Sequence, residues 1–203
     1  MGVWYDNFRN GNVELVTAWD TQAGGFHIYR WPSEKAGGKW INWLRGDNVA
    51  SIDGAKRISH ALPNEADLSK SIEWRFIFKQ NNTGANDRIR FWMFSNVSSL
   101  LYTDASLNGY MTLIAPSGLF RIYRVTGGAA NFIMDGDASY SGDTNEHEVV
   151  ITREVSAANR YWRMYIDGVL ASGPFNDATH TTGSYYGWNC DERDQIGEIK
   201  ITS

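Results

Sequence analysis

The chain has 203 residues and a formal net charge of −4, with 42% hydrophobic and 21% charged residues, which is ordinary for a globular protein. The lack of a basic excess argues against nucleic acid as a partner. No apolar run approaches the roughly 20 residues that a membrane-spanning helix needs, so we expect no membrane insertion.

Strand-like segments follow one another along most of the chain. In each segment apolar and polar side chains alternate with a period of two, and Gly-, Asn-, Asp- and Ser-rich stretches separate the segments. The clearest are 25–31, 39–45, 71–79, 87–95, 109–114, 118–125, 147–153, 160–167 and 196–202. No long window shows a helical period, and 20 Gly and only 4 Pro suit tight turns. The pattern predicts an all-β protein, an antiparallel two-sheet sandwich or barrel, as one domain over residues 1–203.

Four of these strands have one apolar face and one face rich in arginine and aromatic residues. In the strand at 160–167, Trp162 and Ile166 share one face and Tyr161 and Arg163 lie on the other, because successive side chains of a strand point to opposite sides. If the four strands belong to one sheet, their outward side chains form a single platform. Its members would be Arg75, Lys79, Arg88, Arg90, Trp92, Arg121, Tyr123, Tyr161, Arg163 and Tyr165.

This platform has a functional and a structural interpretation. Aromatic rings bury the apolar faces of sugar rings, and arginines bind carboxylate or sulfate groups through paired hydrogen bonds. A platform of both predicts binding of an acidic polysaccharide, uronate-containing or sulfated. In the structural interpretation, arginine stems cover the tyrosine rings and neighbouring strands supply carboxylates that neutralise the guanidinium groups.

Two further places are candidate binding sites. Trp31 and Trp43 lie close together in sequence, near a Gly-Gly loop, and are stacking residues for a ligand if exposed and core residues if buried. Carboxylates that suit Ca²⁺, which takes six to eight oxygen ligands, occur at Asp135 and Asp137, in an acidic stretch without EF-hand spacing.

Four stretches resemble concanavalin-A-like and laminin-G-like domains of bacterial surface and secreted proteins. The segment HEVVITREVSAANRYWRMYIDGVLASG (147–173) contains the strand ending in Thr-Arg, a hairpin and the W-x-x-Y-x-D-G strand of those domains. Similar motifs are WYDNFRNGN (4–12), LNGYMTLIAPSGLFRIYRV (107–125) and YYGWNCDERDQIGEIKI (185–201). The resemblance implies a jelly roll of two antiparallel sheets, often with glycans bound on the concave face or its rim. It also implies a structural ion where the termini meet, for which Asp6 near the start and Glu198 in the last predicted strand are the candidate Ca²⁺ ligands.

The same resemblance implies a secreted or cell-surface location, although the opening MGVWYDNFRNG has no signal-peptide pattern. Enzymes of this fold carry E-x-D-x-E or Q-x-H strands, and neither motif is present. We therefore expect a noncatalytic carbohydrate-binding module or lectin-like domain. The alternatives are a structural or adhesive domain that binds proteins, and a polysaccharide lyase or glycoside hydrolase.

Overall fold

The computed structural model describes residues 2–6, 20–23, 26–36, 39–46, 56–64, 66–80, 88–115, 119–136, 144–190 and 194–203. Within these ranges the regular secondary structure consists of fifteen β-strands. They are β1 (Val3–Asp6), β2 (Asp20–Ala23), β3 (Phe26–Ala36), β4 (Lys39–Gly46), β5 (Lys56–Ala61), β6 (Ile72–Lys79), β7 (Ile89–Ser95), β8 (Gly109–Ala115), β9 (Leu119–Thr126), β10 (Ala129–Gly136), β11 (Glu146–Ser156), β12 (Asn159–Ile166), β13 (Val169–Asn176), β14 (Tyr185–Cys190) and β15 (Gln195–Thr202).

The strands form two antiparallel sheets, which confirms the predicted all-β sandwich. One sheet has eight strands in the order β13-β12-β11-β6-β15-β4-β3, and β1 pairs with β15 beside that path. The other has seven strands in the order β10-β9-β8-β7-β14-β5-β2. The part of the chain that the structure describes contains no helix long and apolar enough to cross a membrane.

The core lies between the sheets and is rich in aromatic rings. Phe76 of the eight-stranded sheet stacks on Phe91 of the seven-stranded sheet, with ring centroids 4.2 Å apart. Trp162 lies parallel to Trp74 at 5.9 Å and contacts the ring of Tyr110 on the opposite sheet at 4.5 Å. All five side chains are fully buried, and burying one side chain of this size contributes about 1.5–3 kcal/mol.

Arg153 closes one end of this core. It is fully buried on β11, and its guanidinium lies over the rings of Phe94 and Trp162 at 5.4 and 5.7 Å. One Nη donates a hydrogen bond to the carbonyl oxygen of Leu68. Burial lowers the pKa of Arg153 to about 10, so the group stays cationic at neutral pH. The arginine of the Thr-Arg motif is therefore structural and holds the segment before β6 against the sandwich.

A second polar group holds the segment that leads from β13 in one sheet to β14 in the other. The buried carboxylate of Asp177 accepts hydrogen bonds of 2.6 Å each from Tyr110 Oη and Arg124 Nη1, and one of 2.9 Å from the backbone N–H of Thr179. Burial alone would raise the pKa of Asp177, but the hydrogen bonds from Tyr110 and Thr179 outweigh it, so the pKa lies below its ordinary value. His180 follows, and its Nε2 lies 2.9 Å from the carbonyl oxygen of Val125.

Candidate functional site

The predicted platform does not form, because its strands belong to different sheets. Arg75 and Lys79 lie on β6, and Tyr161, Arg163 and Tyr165 lie on β12, all in the eight-stranded sheet. The remaining members lie on or next to β7 and β9 of the seven-stranded sheet: Arg88, Arg90, Trp92, Arg121 and Tyr123. The expectation that these side chains share one face is wrong, since the choice of sheet depends on pairing between strands distant in sequence.

Two platform arginines of the eight-stranded sheet, Arg75 and Arg163, are paired with carboxylates from the same sheet. Arg75 lies 3.1 Å from Glu148 of β11 and 3.4 Å from Glu73 of its own strand. Arg163 donates a 2.7 Å hydrogen bond to Glu154, also on β11. This face therefore has the arrangement that the structural interpretation predicts, in which each guanidinium is neutralised by a neighbouring carboxylate.

The outward side chains of β7 are covered by the segment that connects β7 to β8. Every residue of the strand is buried, and Trp92 is fully so. Trp92 packs with Leu100 and Leu107 from residues 96–108, which we call the covering segment, and with Met111 and Val125. The buried Arg90 guanidinium lies 5.1 Å from the ring of Tyr102 in the same segment. Neither Arg90 nor Trp92 is exposed as a ligand platform requires.

Asn189 of β14 fixes the covering segment in place. Its Oδ1 accepts a 2.8 Å hydrogen bond from Trp92 Nε1, and its Nδ2 donates a 3.0 Å bond to the carbonyl oxygen of Leu100. Its neighbour Gly187 accommodates close packing, because a Cβ there would lie 2.4 Å from the carbonyl oxygen of Ile58 and 2.5 Å from a methyl group of Leu100. On the outer side of β7, β8 and β9, the covering segment thus forms a second, smaller core.

Exposed aromatic and arginine side chains remain together at one margin of the seven-stranded sheet, on β9 and β10. We call Arg121, Tyr123, Phe132 and Asp135 the edge cluster. Tyr123 meets Phe132 edge-to-face with ring centroids 6.0 Å apart, and the Arg121 guanidinium lies 5.2 Å from the Phe132 ring. Phe132 is 51% exposed, which leaves ring surface available for a ligand.

Arg121 is fixed by polar contacts within the edge cluster. Its Nε donates a 3.1 Å hydrogen bond to Asp135 Oδ1. Hydrogen bonding to Tyr123, and then to Asp135, raises the pKa of Arg121 above its ordinary value. The cluster thus presents an aromatic ring bordered by a guanidinium and a carboxylate in fixed positions.

An open groove runs beside the edge cluster, where the margins of the two sheets meet. It has a volume of about 410 Å³ and is lined by Phe132, Ile133, Met134 and Asp135 of β10 and by Ser172, Gly173, Pro174 and Phe175 of β13. We call it the edge groove. Phe175 is 40% exposed, so each strand brings one exposed aromatic ring to the groove. The sequence patterns single out neither Phe132 nor Phe175.

Both strands at the edge groove are poorly suited to pairing with a further strand. β10 contains a bulge between Phe132 and Met134, and the pairing of β12 with β13 shifts register twice. Pro174 has no backbone N–H to donate, and Gly173 adopts a φ of 111°, outside regular strand geometry. Bulges and prolines are devices that prevent edge-to-edge association of sheets. The margin is therefore open to ligands that bind through side chains.

The tryptophan and carboxylate candidates are distributed over several strands. Trp31 lies on β3 and Trp43 on β4 of the eight-stranded sheet, but their side chains, like that of Asp6, lie outside the described part, as does Asp137 altogether. β1 and β15 pair so that Asp6 is opposite Ile199, next to Glu198. Asp135 is held by Arg121. Among the described residues, no three His, Cys, Asp or Glu side chains come together as metal ligands.

Comparison with solved structures shows the fold. A Bacillus subtilis protein of unknown function with a galectin-like fold superposes with a TM-score of 0.60 at 9% identity, covering 98% of this chain and 94% of that one. The carbohydrate recognition domain of Emp46p, in a metal-free form, gives 0.61 at 12% identity over 94% and 90%. The exoplasmic/lumenal domain of VIP36, bound to Ca²⁺ and mannose, gives 0.57 at 12% identity over 91% and 82%.

These likenesses establish a concanavalin-A-like jelly roll of the galectin and legume-lectin type, as the sequence resemblance implies. At such low identity they show the fold alone. No protein-family model matches the chain, and a search of curated proteins finds no match.

Proposed function

We propose that this protein is a noncatalytic, lectin-like carbohydrate-binding domain. The observation that carries the proposal is the edge cluster, in which the exposed ring of Phe132 contacts both the Arg121 guanidinium and the ring of Tyr123, and Asp135 pairs with Arg121. Similar structures include a carbohydrate recognition domain and a mannose-bound domain, which supports a glycan as the ligand.

Binding would combine stacking and hydrogen bonding on a surface that exists before the ligand arrives. The Phe132 ring buries the apolar face of a sugar ring, and Asp135 accepts hydrogen bonds from sugar hydroxyl groups. Because Arg121 already holds Asp135, little side-chain entropy is lost on binding. We expect weak single-site affinity, with a Kd of roughly micromolar to millimolar, and avidity along a polymer.

Affinity electrophoresis in native gels containing soluble polysaccharides tests the proposal. A glycan binder is retarded in at least one gel, and Phe132→Ala reduces the retardation about tenfold, equivalent to about 1.4 kcal/mol. Val169→Ser is the matched control, because Val169 is 60% exposed at the start of β13 and does not line the edge groove. The proposal fails if no polysaccharide retards the protein.

The finer prediction of an acidic polysaccharide rests on arginines that have carboxylate partners. Arg75, Arg163 and Arg121 are all ion-paired, which leaves less positive charge for a ligand. If the preference is nonetheless for uronate or sulfate, salt of about 0.5 M abolishes the binding by screening. Retention in high salt indicates that stacking and neutral hydrogen bonds carry the affinity.

Two attributes accompany the proposal. We place the domain outside the cell or in a secretory lumen, by analogy with the exoplasmic/lumenal domain of VIP36. A structural Ca²⁺ would need the Asp6 and Glu198 pair or the Asp135 and Asp137 pair, and the described residues do not supply a full set of ligands. A melting temperature that falls in EDTA supports a bound ion, and an unchanged one counts against it.

An adhesive protein-binding domain is the second candidate. It is favoured by Val169 and Leu170, which are 60% and 51% exposed on β13, since exposed apolar patches mark protein contacts. If glycan retardation depends on Val169 and Leu170 but not on Phe132, the edge cluster is not the binding surface.

A further inference from the structure

The exposed apolar side chains of the described residues are concentrated at one margin of the sandwich. Five large hydrophobic side chains are exposed among the described residues, and four of them lie on β10 and β13. These are Phe132, Val169, Leu170 and Phe175. Phe132 and Phe175 belong to different sheets and line the same groove. These two rings form an exposed apolar patch of the kind that marks a binding surface, whereas Val169 and Leu170 lie at the start of β13, outside the lining of the groove.

The edge groove is open rather than enclosed, and it is lined by both apolar and polar groups. Its volume of about 410 Å³ falls within the roughly 300–1,000 Å³ of ligand pockets. Ile133 and Met134 are buried and Phe132 and Phe175 are exposed, which gives the groove apolar surface on both strands. Asp135 and Ser172 add a carboxylate and a hydroxyl group.

The charges at the groove favour an uncharged ligand. Asp135 is the one ionisable residue among those that line it, and Arg121 neutralises Asp135 through the 3.1 Å ion pair. An anionic sugar would meet the carboxylate without gaining an unpaired guanidinium there, whereas the hydroxyl groups of a neutral sugar can donate to Asp135 and to Ser172. The bulges and Pro174 disfavour an added β-strand in the same place.

From these observations we infer that the edge groove binds the interior of a neutral polysaccharide chain between Phe132 and Phe175. This rests on the proposed function and assigns it a ligand class and a second aromatic contact from the other sheet. An open groove accepts a chain that continues beyond it, while an enclosed pocket would select a chain end. The edge cluster then forms one side of a larger site.

Titration calorimetry with neutral polysaccharides (mixed-linkage glucan, xylan and galactomannan) and anionic ones (alginate and heparin) tests the inference. We expect a neutral polymer to bind and the anionic ones to bind at least tenfold more weakly. Phe175→Ala and Phe132→Ala should each weaken binding about five- to tenfold, while Phe175→Tyr retains it. Leu170→Ala is the matched control on β13 and should change Kd less than twofold. Monosaccharides should not displace the polymer.

The outcomes separate this inference from the proposed function. If Phe132→Ala weakens binding but a folded Phe175→Ala binds as wild type does, the two-walled groove is wrong and the edge cluster still binds glycan. Preferred binding of alginate or heparin also overturns the inference and leaves a glycan-binding domain. If no polysaccharide binds, both fail. Melting curves for each variant show whether a loss of binding reflects a loss of folding.

Discussion

Asp177 has hydrogen-bond partners on three strands, β8, β9 and β12. Its two oxygens accept hydrogen bonds from Tyr110 on β8, from Arg124 on β9 and from the backbone of Thr179, and its own carbonyl oxygen accepts one from Trp162 Nε1. It therefore links both sheets to the segment between β13 and β14. A buried carboxylate with this many donors is stabilising only while all of its partners remain in place.

The first prediction concerns the loss of that carboxylate charge. Asp177→Asn should lower the free energy of unfolding by roughly 2–3 kcal/mol, because Arg124 loses its counter-ion and an amide nitrogen replaces one acceptor. Asp135→Asn is the matched control, since it breaks an exposed Arg–Asp pair that is worth about 0–1 kcal/mol. Urea unfolding of both variants provides the measurement. Equal losses would show that Asp177 is not a structural centre.

At the scale of single elements, the period-two pattern predicts strands well where one face is buried. Each of the nine predicted strands overlaps an observed one, and β6 alternates between buried and half-buried residues as expected. In β7 the pattern wrongly predicts that Arg90 and Trp92 are exposed, because the covering segment buries the face that carries them. No local pattern contains that information, since residues 96–108 reach β7 only through tertiary packing.

The two strands that border the candidate site, β10 and β13, are among the six observed strands that the period-two pattern does not predict. β10 and β13 are edge strands. β13 is largely exposed and contains Gly173 and Pro174, which are typical of turns. Because neither strand is predicted, the sequence does not indicate on which sheet or face Phe132 and Phe175 lie. Arg121 and Tyr123 were predicted because β9 lies inside the sheet and alternates clearly. The alternation in β9 therefore predicts two outward residues of the edge cluster, and no sequence pattern predicts the edge groove.

The second prediction concerns the covering segment. Asn189→Ala removes the bonds to Trp92 Nε1 and to the carbonyl oxygen of Leu100 and leaves two buried groups without partners, a loss of roughly 2–3 kcal/mol. Amide hydrogen exchange over residues 96–108 should become faster than in wild type, because the segment opens locally. Asn131→Ala is the control, as its one hydrogen bond is exposed. Unchanged hydrogen exchange in residues 96–108 would show that Asn189 does not hold the covering segment in place.

For the whole molecule, the two outer faces differ in what they present to solvent. The eight-stranded sheet carries ion pairs along β6, β11 and β12, and the covering segment buries the outer side of the seven-stranded sheet along β7, β8 and β9. The ligand site is therefore expected at the margin where both sheets end. Sheet membership comes from strand pairings far apart in sequence, so the sequence alone supports the sandwich but not the location of its open surface.

The last prediction is the pH dependence of folding, to which His180 and Asp177 contribute in different pH ranges. Burial lowers the pKa of His180 below its ordinary value of 6.5. Since a carbonyl oxygen only accepts, the 2.9 Å contact with Val125 requires a proton on Nε2, and the neutral ring already meets this need. A lowered pKa means that the unfolded chain binds the extra proton more readily. The contribution of His180 is therefore complete above pH 6.5 and declines as the pH falls below it.

Asp177 acts in a more acidic range, because its folded pKa lies below the ordinary 3.8, so its contribution is lost as the pH falls from about 4. We expect the melting temperature to decrease from pH 7 to pH 5 and to decrease again below pH 4. His180→Gln should flatten the first decrease and leave the second. Thr126→Val, which removes a hydroxyl group 2.9 Å from the ring but retains the titrating imidazole, should preserve both. Calorimetric melting curves at pH 7, 5 and 3.5 measure these changes. If the melting temperature of His180→Gln falls between pH 7 and pH 5 as much as that of wild type, groups other than His180 cause the acid sensitivity.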